Sequence, residues 1–276
     1  MGVLPTVMMS CVLVATTTTR KGETIYQPAV DVPLTASAVV AGVSLVVFRA
    51  DWGPRQCRWC DVDAAGRLTL NPLDFGARSL LKAPDAYLPA VRRAGDVVGY
   101  GLVPALALAP HLLTWSEVGF EQAAHDALIV GEAVAIAHAT EQGFKYVVAR
   151  TRPAMRFNPH SRTADPDDDM SMVSGHATVG FALAVANGTL ASLHGARSVY
   201  WIWISGLSLA TVSSVMRVVA DRHYLTDVLA GAALGSLVGF TVPWVHTKLP
   251  VLRKHSLSVS TSVGKGSGSV ALSGNF

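Results

Sequence analysis

Charge is scarce in this sequence. Lysine, arginine, aspartate and glutamate together make 15% of the 276 residues, whereas soluble domains carry roughly 25%. An ordinary soluble domain is therefore not the expected class. The net charge of +3 is small and dispersed, which argues against a nucleic-acid partner. Cysteine is rarer still, with only Cys11, Cys57 and Cys60. The pair in "CRWC" allows a local disulfide, free thiols, or metal or redox chemistry. No second CxxC and no nearby histidine complete a zinc site, and no βαβ pattern surrounds the pair. A disulfide there would put its loop outside the cytoplasm. The amino terminus lacks the order of a secretory signal, because Arg20 and Lys21 follow the apolar part instead of preceding it.

Apolar runs are what the chain has in abundance. Half of its residues are hydrophobic, and 24 glycines are spread through those runs, which favours close helix packing in a bilayer. A spanning helix needs about 20 mostly apolar residues. Six stretches approach that length: 32–49, 97–115, 125–144, 177–194, 199–216 and 226–246. The expected fold is thus all-α, an integral membrane bundle of about six transmembrane helices. Residues 1–31 read as an irregular arm and 32–247 as the membrane domain. Within that domain, 50–96 reads as an extramembrane loop carrying short amphipathic helices. The Ser/Gly-rich stretch 248–276 reads as a disordered tail. Six spans with both termini inside put Lys248, Arg253 and Lys254 in the cytoplasm, as charge bias prefers. Loops 50–96, 145–176 and 217–225 then share the opposite face.

Three charged clusters fall on that face. In "KYVVARTRP" (145–153), Pro153 disfavours a helical Arg152, so a lysine near a helix end and an arginine just beyond it can converge on an anion. Taken singly, Lys145 and Arg150 read first as membrane-edge anchors. In "SMVSGHATVG" (171–180), Ser174 suits an N-cap, and the helix start after it is a ready anion site. Gly175 lets backbone approach a ligand. Capping does not account for His176 beside it. In "RVVADRHYLTDV" (217–228), His223 and Asp227 are four apart, the spacing at which a carboxylate holds one imidazole nitrogen and leaves the other outward. Arg217 supplies a fork suited to phosphate oxygens. Asp221 and Arg222 receive no role. The acidic loop "ADPDDDM" reads chiefly as solvated, with gating or cation binding as alternatives. No carboxylates with metal-ligand spacing accompany the three clusters.

Together these segments resemble the type 2 phosphatidic acid phosphatase superfamily, which also contains vanadium haloperoxidases and bacterial acid phosphatases. Its motifs K-x6-R-P, P-S-G-H and S-R-x5-H-x3-D are similar to "KYVVARTRP", "VSGH" (173–176) and "MRVVADRHYLTD" (216–227), in that order. Val173 and Met216 replace the usual proline and serine, and neither position carries acid, nucleophile or clamp. The resemblance implies His223 as nucleophile, Asp227 as its orienting acid and His176 as the proton donor to the leaving oxygen. It implies Lys145, Arg152, Arg217, Ser174 and the backbone at Gly175 as the phosphate cradle. The implied activity is hydrolysis of a lipid phosphate or diphosphate through a phosphohistidine. Phosphatidic acid, phosphatidylglycerol phosphate and undecaprenyl diphosphate are the candidate substrates. No metal or other cofactor is expected, and the expected partners are the lipid substrate and membrane lipids. A bacterial plasma membrane with the site facing outward is the expected location. Oligomeric state has no sequence signal. The rival readings are a non-catalytic anion binder or transporter and a vanadate-dependent haloperoxidase.

Overall fold

The computed structural model describes residues 24–163, 165–248, 257–264 and 267–274. The expected arm lies largely outside the described residues. Its last residues do not stay irregular, because helix α1 (Pro28–Val47) starts four positions before the expected boundary. Pro28 explains the shift: at the first helical position its missing N–H costs nothing and its fixed φ is already helical.

Beyond α1, the region expected as an extramembrane loop carries α2 (Arg49–Trp52), α3 (Pro72–Leu81) and α4 (Leu88–Asp96). Cys57 and Cys60 are joined in a disulfide. A π-helical turn, Val97–Leu102, fuses α4 to α5 (Val103–Val118). There follow α6 (Phe120–Val148), α7 (Pro153–Phe157), α8 (Gly175–His194), α9 (Val199–Val219) and α10 (Leu225–Lys248). The tail, expected to lack structure, contains an antiparallel pair, β1 (Leu257–Gly264) with β2 (Ser267–Gly274). The overlooked signal is the alternation of serine with valine and threonine from 258 to 263, a period of two.

Five described helical segments are long and apolar enough to cross a membrane: Pro28–Val47, Asp85–Val118, Gly175–His194, Val199–Val219 and Leu225–Lys248. Large apolar side chains on them face outward, among them Val40, Leu112, Trp201 and Leu237, as lipid contact requires. The sixth expected span lies in α6, which has the length but carries Asp126, Glu132, Glu141 and Lys145. α6 bears these charges because α1, α5, α8 and α10 pack against it, so all four are buried in protein. Charges within a bundle are paired or functional as a rule.

The central helix is α8, packed by α5, α6, α9 and α10. Its closest neighbour is α10, and three glycines one turn apart make that possible. A Cβ at Gly231, Gly235 or Gly239 would collide with the carbonyl oxygens of Ser174, Thr178 and Ala182 respectively. Small residues at this spacing let two helix backbones approach without a hydrophobic driving force. The start of α10 is thereby held against the start of α8, where Ser174 N–H donates to the Asp227 carbonyl at 3.1 Å. Gly235→Ala is expected to wedge the two helices apart at about 1–3 kcal/mol, the usual range for overpacking. Gly131→Ala on α6, where a Cβ meets open space, serves as control. Thermal unfolding in detergent compares them, with a lower midpoint only for the position 235 variant.

Candidate active site

The segment after α6 turns sharply. Helix α6 ends at Val148 with Ala149 in the left-handed region, φ 46°. Arg152 is extended, φ −64° and ψ 147°, as the residue before a proline should be. The bend sends Arg150 and Arg152 to different destinations. Arg152 reaches into the site, where its Nη1 lies 3.2 Å from His223 Nε2 and 2.9 Å from the Arg222 carbonyl. Its Nη2 and Nε bind Asp167 through the carboxylate and the backbone carbonyl, both at 2.7 Å. Arg150 turns inward and is fully buried.

His223 sits in the bend before α10. Its Nδ1 is 2.7 Å from the Ser171 carbonyl, and a carbonyl only accepts, so Nδ1 carries the proton. The guanidinium of Arg152 only donates, so Nε2 presents a lone pair. Burial, then the charges of Arg152, Arg217, Lys145 and Arg222, hold His223 well below the ordinary imidazole value. The result is a neutral imidazole whose Nε2 lone pair faces the Arg152 guanidinium, among four cations.

Asp227 does not hold that imidazole directly. Its Oδ2 is 3.8 Å from His223 Nδ1, beyond hydrogen-bond range. The same oxygen accepts from Ser171 Oγ at 2.6 Å and from Tyr224 N–H at 2.9 Å. The second contact is the return half of a capping box at the start of α10. Asp227 therefore fixes both flanks of His223, the Ser171 segment and the helix start. The carbonyl of Ser171 takes the imidazole proton.

Ser174 occupies the N-cap position of α8, yet its hydroxyl caps nothing. Its Oγ is buried without a hydrogen-bond partner among the described residues, as are His176 Nε2 and Arg217 Nε. Buried polar atoms are nearly always satisfied, so three unsatisfied ones around His223 mark a place shaped for a ligand. Lys145 Nζ pairs with Glu141 at 3.0 Å and would lie 3.5 Å from a Cβ at Gly175. Arg217 Nη1 is 2.8 Å from Asp96, whose same oxygen is 3.5 Å from His176 Nε2. The π-helical turn brings Gly99 so close to His176 that any side chain there would strike the ring, and the Tyr100 ring packs edge-on at 4.3 Å. All eight residues singled out in the sequence, Lys145, Arg152, Ser174, Gly175, His176, Arg217, His223 and Asp227, meet at this end of the bundle.

Several partners escaped sequence reasoning. Arg150 binds Asp227 at 2.8 Å, Asp74 at 2.9 Å and Asp61 at 3.0 Å, between the rings of Trp59 and Tyr224. Burial alone would lower its pKa, but Asp227, Asp61 and Asp74 outweigh it and raise the value. Arg222 pairs with Asp167 at 3.1 Å, and Arg152 beside it, with burial, brings it down to about 10. Burial works to raise Asp167, yet Arg152 and Arg222 hold it below the usual carboxylate range. Asp221 is taken by Arg78 at 2.7 Å. The acidic loop is not solvated as expected. Asp165 binds Arg49, Asp167 the two site arginines, and Asp169 Thr151 and Arg162, while Asp168 and Asp169 are buried. Only opposite charge scattered along the chain makes that possible, and no local pattern announces it.

Residues 126–250 match the family model of the PAP2 superfamily. Over that segment the chain is similar to the PAP2 superfamily. It is 35% identical over 107 residues to an undecaprenyl-diphosphatase of Sulfolobus acidocaldarius, covering 39% of this chain and 48% of that protein. It is 41% identical over 76 residues to a lipid A 1-phosphatase of Porphyromonas gingivalis, covering 27% of this chain and 16% of that protein. The chain thus spans about half the length of the first relative and about a sixth of the second. A solved transmembrane PAP2 type phosphatidylglycerolphosphate phosphatase from Bacillus subtilis aligns over 77% of this chain and 93% of its own, at 16% identity and a TM-score of 0.46.

Two outcomes follow from this geometry. Arg150→Met strands three buried carboxylates, and breaking such a set costs about 3–5 kcal/mol, so detergent-solubilised protein should unfold at markedly lower temperature. Arg150→Lys should not restore it, since a point charge does not reach three carboxylates at once. An unperturbed imidazole titrates near 6.5, and His223 should still be neutral when pH falls through that value. Removing a nearby cation relieves the penalty on the imidazolium, so Arg222→Gln should move its midpoint upward. Nuclear magnetic resonance of ¹⁵N-histidine-labelled protein reads both.

Proposed function

We propose that this protein is an integral-membrane phosphatase that removes phosphate from a lipid phosphate or diphosphate through a phosphohistidine. The observation that carries the reading is the trio of buried, unsatisfied atoms, Ser174 Oγ, His176 Nε2 and Arg217 Nε, around a neutral His223. The two relatives, an undecaprenyl-diphosphatase and a lipid A 1-phosphatase, support the substrate class.

The steps follow from the atoms. The phosphoryl oxygens lie among Arg152, Arg217, Lys145, Ser174 and the backbone at Gly175. The lone pair of His223 Nε2 attacks phosphorus, and the bond to the ester oxygen breaks. His176 gives that oxygen a proton, so the lipid leaves as an alcohol, or as a monophosphate when the substrate is a diphosphate. The Nδ1 proton stays on the ring, donated in a hydrogen bond to the Ser171 carbonyl, and the growing positive charge of the ring is balanced by Asp227. A water then gives its proton to His176 and attacks phosphorus, breaking the N–P bond and freeing phosphate. Fixed cations aimed at developing oxyanion charge supply most of the stabilisation. None of these steps uses a metal ion.

Placement at a bundle end also suits the substrate. The phosphate enters from water while the chain stays in lipid, a division of the kind that makes charge tolerable at a span end. The disulfide at Cys57 and Cys60 supports an extracytoplasmic face for this end, in a plasma membrane of bacterial type. Candidate substrates remain phosphatidic acid, phosphatidylglycerol phosphate and undecaprenyl diphosphate.

Purified protein in detergent should release phosphate from at least one of these lipids, and continue when EDTA is added to the assay. His223→Ala should reduce release to the uncatalysed rate. His176→Ala should lose about 10²–10⁴-fold, the usual worth of a positioned acid–base group, and should accumulate a ³²P-labelled, acid-labile phosphoprotein from labelled substrate. Equal release by wild type and His223→Ala from every lipid in the panel would sink the proposal.

A further inference from the structure

The sequence showed no grouping of metal-ligating residues, yet the fold assembles one far from the phosphate site. Asp31 on α1, Glu132 on α6 and His246 near the end of α10 each offer a donor atom, and these atoms lie within 4.8 Å of one another. All three residues are buried. His246 is about five turns beyond Asp227 along α10, roughly 28 Å at 1.5 Å per residue, so this cluster sits at the opposite end of the bundle.

Its internal geometry is that of a ligand set. His246 Nδ1 lies 2.7 Å from the Ile25 carbonyl and so carries a proton, while Nε2 lies 3.5 Å from both Glu132 oxygens, the position where a cation would replace the second proton. A backbone carbonyl on the second ring nitrogen is the usual support for a metal-binding histidine. Nε2 is 3.5 Å from Glu132 Oε2, close to the edge of a tetrahedron with metal–ligand bonds of about 2.0–2.1 Å. Glu132 Oε2 has no hydrogen-bond partner among the described residues, although its side chain is only 4% exposed. Asp31 is oriented by the Gln27 N–H at the helix start, and its Oδ2 is 4.0 Å from His246 Nδ1.

Charge favours the same conclusion. Two carboxylates and an imidazole are buried together, and among the described residues no lysine or arginine pairs with either carboxylate. Burying a net charge without a partner is costly. A divalent cation with a neutral imidazole brings the sum to zero, and imidazole with carboxylates is a donor set for zinc or manganese.

We propose that Asp31, Glu132 and His246 form a structural site for a divalent first-row cation, Zn²⁺ or Mn²⁺, that staples α1 to α6 and α10. The site takes no part in the phosphate chemistry.

Full-length protein carrying an affinity tag without histidine is purified in detergent, dialysed against Zn²⁺ or Mn²⁺, then against metal-free buffer, and its metal content measured by mass spectrometry. About one equivalent per chain should remain. Glu132→Gln and His246→Gln should hold less than about a tenth of that, and His223→Ala should bind as wild type. Two further measurements on the wild type do not depend on how the variants fold. Its unfolding midpoint should rise with the bound metal. X-ray absorption should show nitrogen and oxygen ligands, one of them imidazole, without sulfur. Wild type that keeps less than about a tenth of an equivalent of either metal, a folded Glu132→Gln that binds as wild type, or a sulfur-containing shell would each overturn the proposal.

Discussion

A guanidinium sealed from water sets the terms for this structure. Arg150 is fully buried, and its five donors face Asp61, Asp74, Asp227 and the Thr226 hydroxyl. Two rings, Trp59 and Tyr224, close over its faces. Taking an arginine out of water is expensive, and only excellent geometry with several counter-charges offsets it. The three carboxylates come from the region after the disulfide, from α3 and from α10. One side chain therefore ties the segment that holds Asp61 and α3 to the start of α10. Asp74 adds a second tie by accepting the Thr226 N–H and hydroxyl at 2.8 and 2.7 Å. Asp227 hangs from the same knot, and through Ser171 and Tyr224 it determines where His223 points.

That arrangement also explains why the proposed nucleophile needs no carboxylate of its own. An imidazole against a carboxylate would be drawn toward the charged form. An imidazole against the Ser171 carbonyl, buried and surrounded by cations, is kept neutral. Asp227 is near enough to balance positive charge once it develops on the ring, and is meanwhile neutralised by Arg150. Its negative charge is shared between a structural and a proposed chemical task.

The sequence was informative where chemistry is local. Three short segments carry the eight residues that converge, and Pro153, Ser174 and the glycine spacing on α10 explain how each segment turns or packs. It was silent where chemistry is long-range. Arg150 lies inside the first segment but resembles a membrane-edge anchor until Asp61 and Asp74, 89 and 76 residues away, are brought to it. Asp31, Glu132 and His246 are spread over almost the whole chain, so no spacing links them. The acidic loop misleads for the opposite reason: four closely placed aspartates look solvated, and only the fold delivers Arg49, Arg152 and Arg222 to them. The hairpin near the carboxyl end was missed because small serines make a period of two easy to overlook.

Scarcity of charge becomes an organising feature in this light. Cations facing the phosphate site are already engaged: Arg152 with Asp167, Arg217 with Asp96 and Lys145 with Glu141. Each pair keeps its cation fixed when no ligand is present, so little reorganisation is needed on binding, which is the basis of electrostatic preorganisation. The pairs also dilute the positive field, and an incoming phosphate must gain more from the site than the carboxylates already do. A group with two negative charges competes better than one with a single charge. In the proposed function, pairing of this kind would favour a terminal phosphate over the phosphodiester linkages of the surrounding membrane. For the substrate class proposed above, discrimination against bulk lipid would then come from the balance of charges at the site, without a separate recognition element.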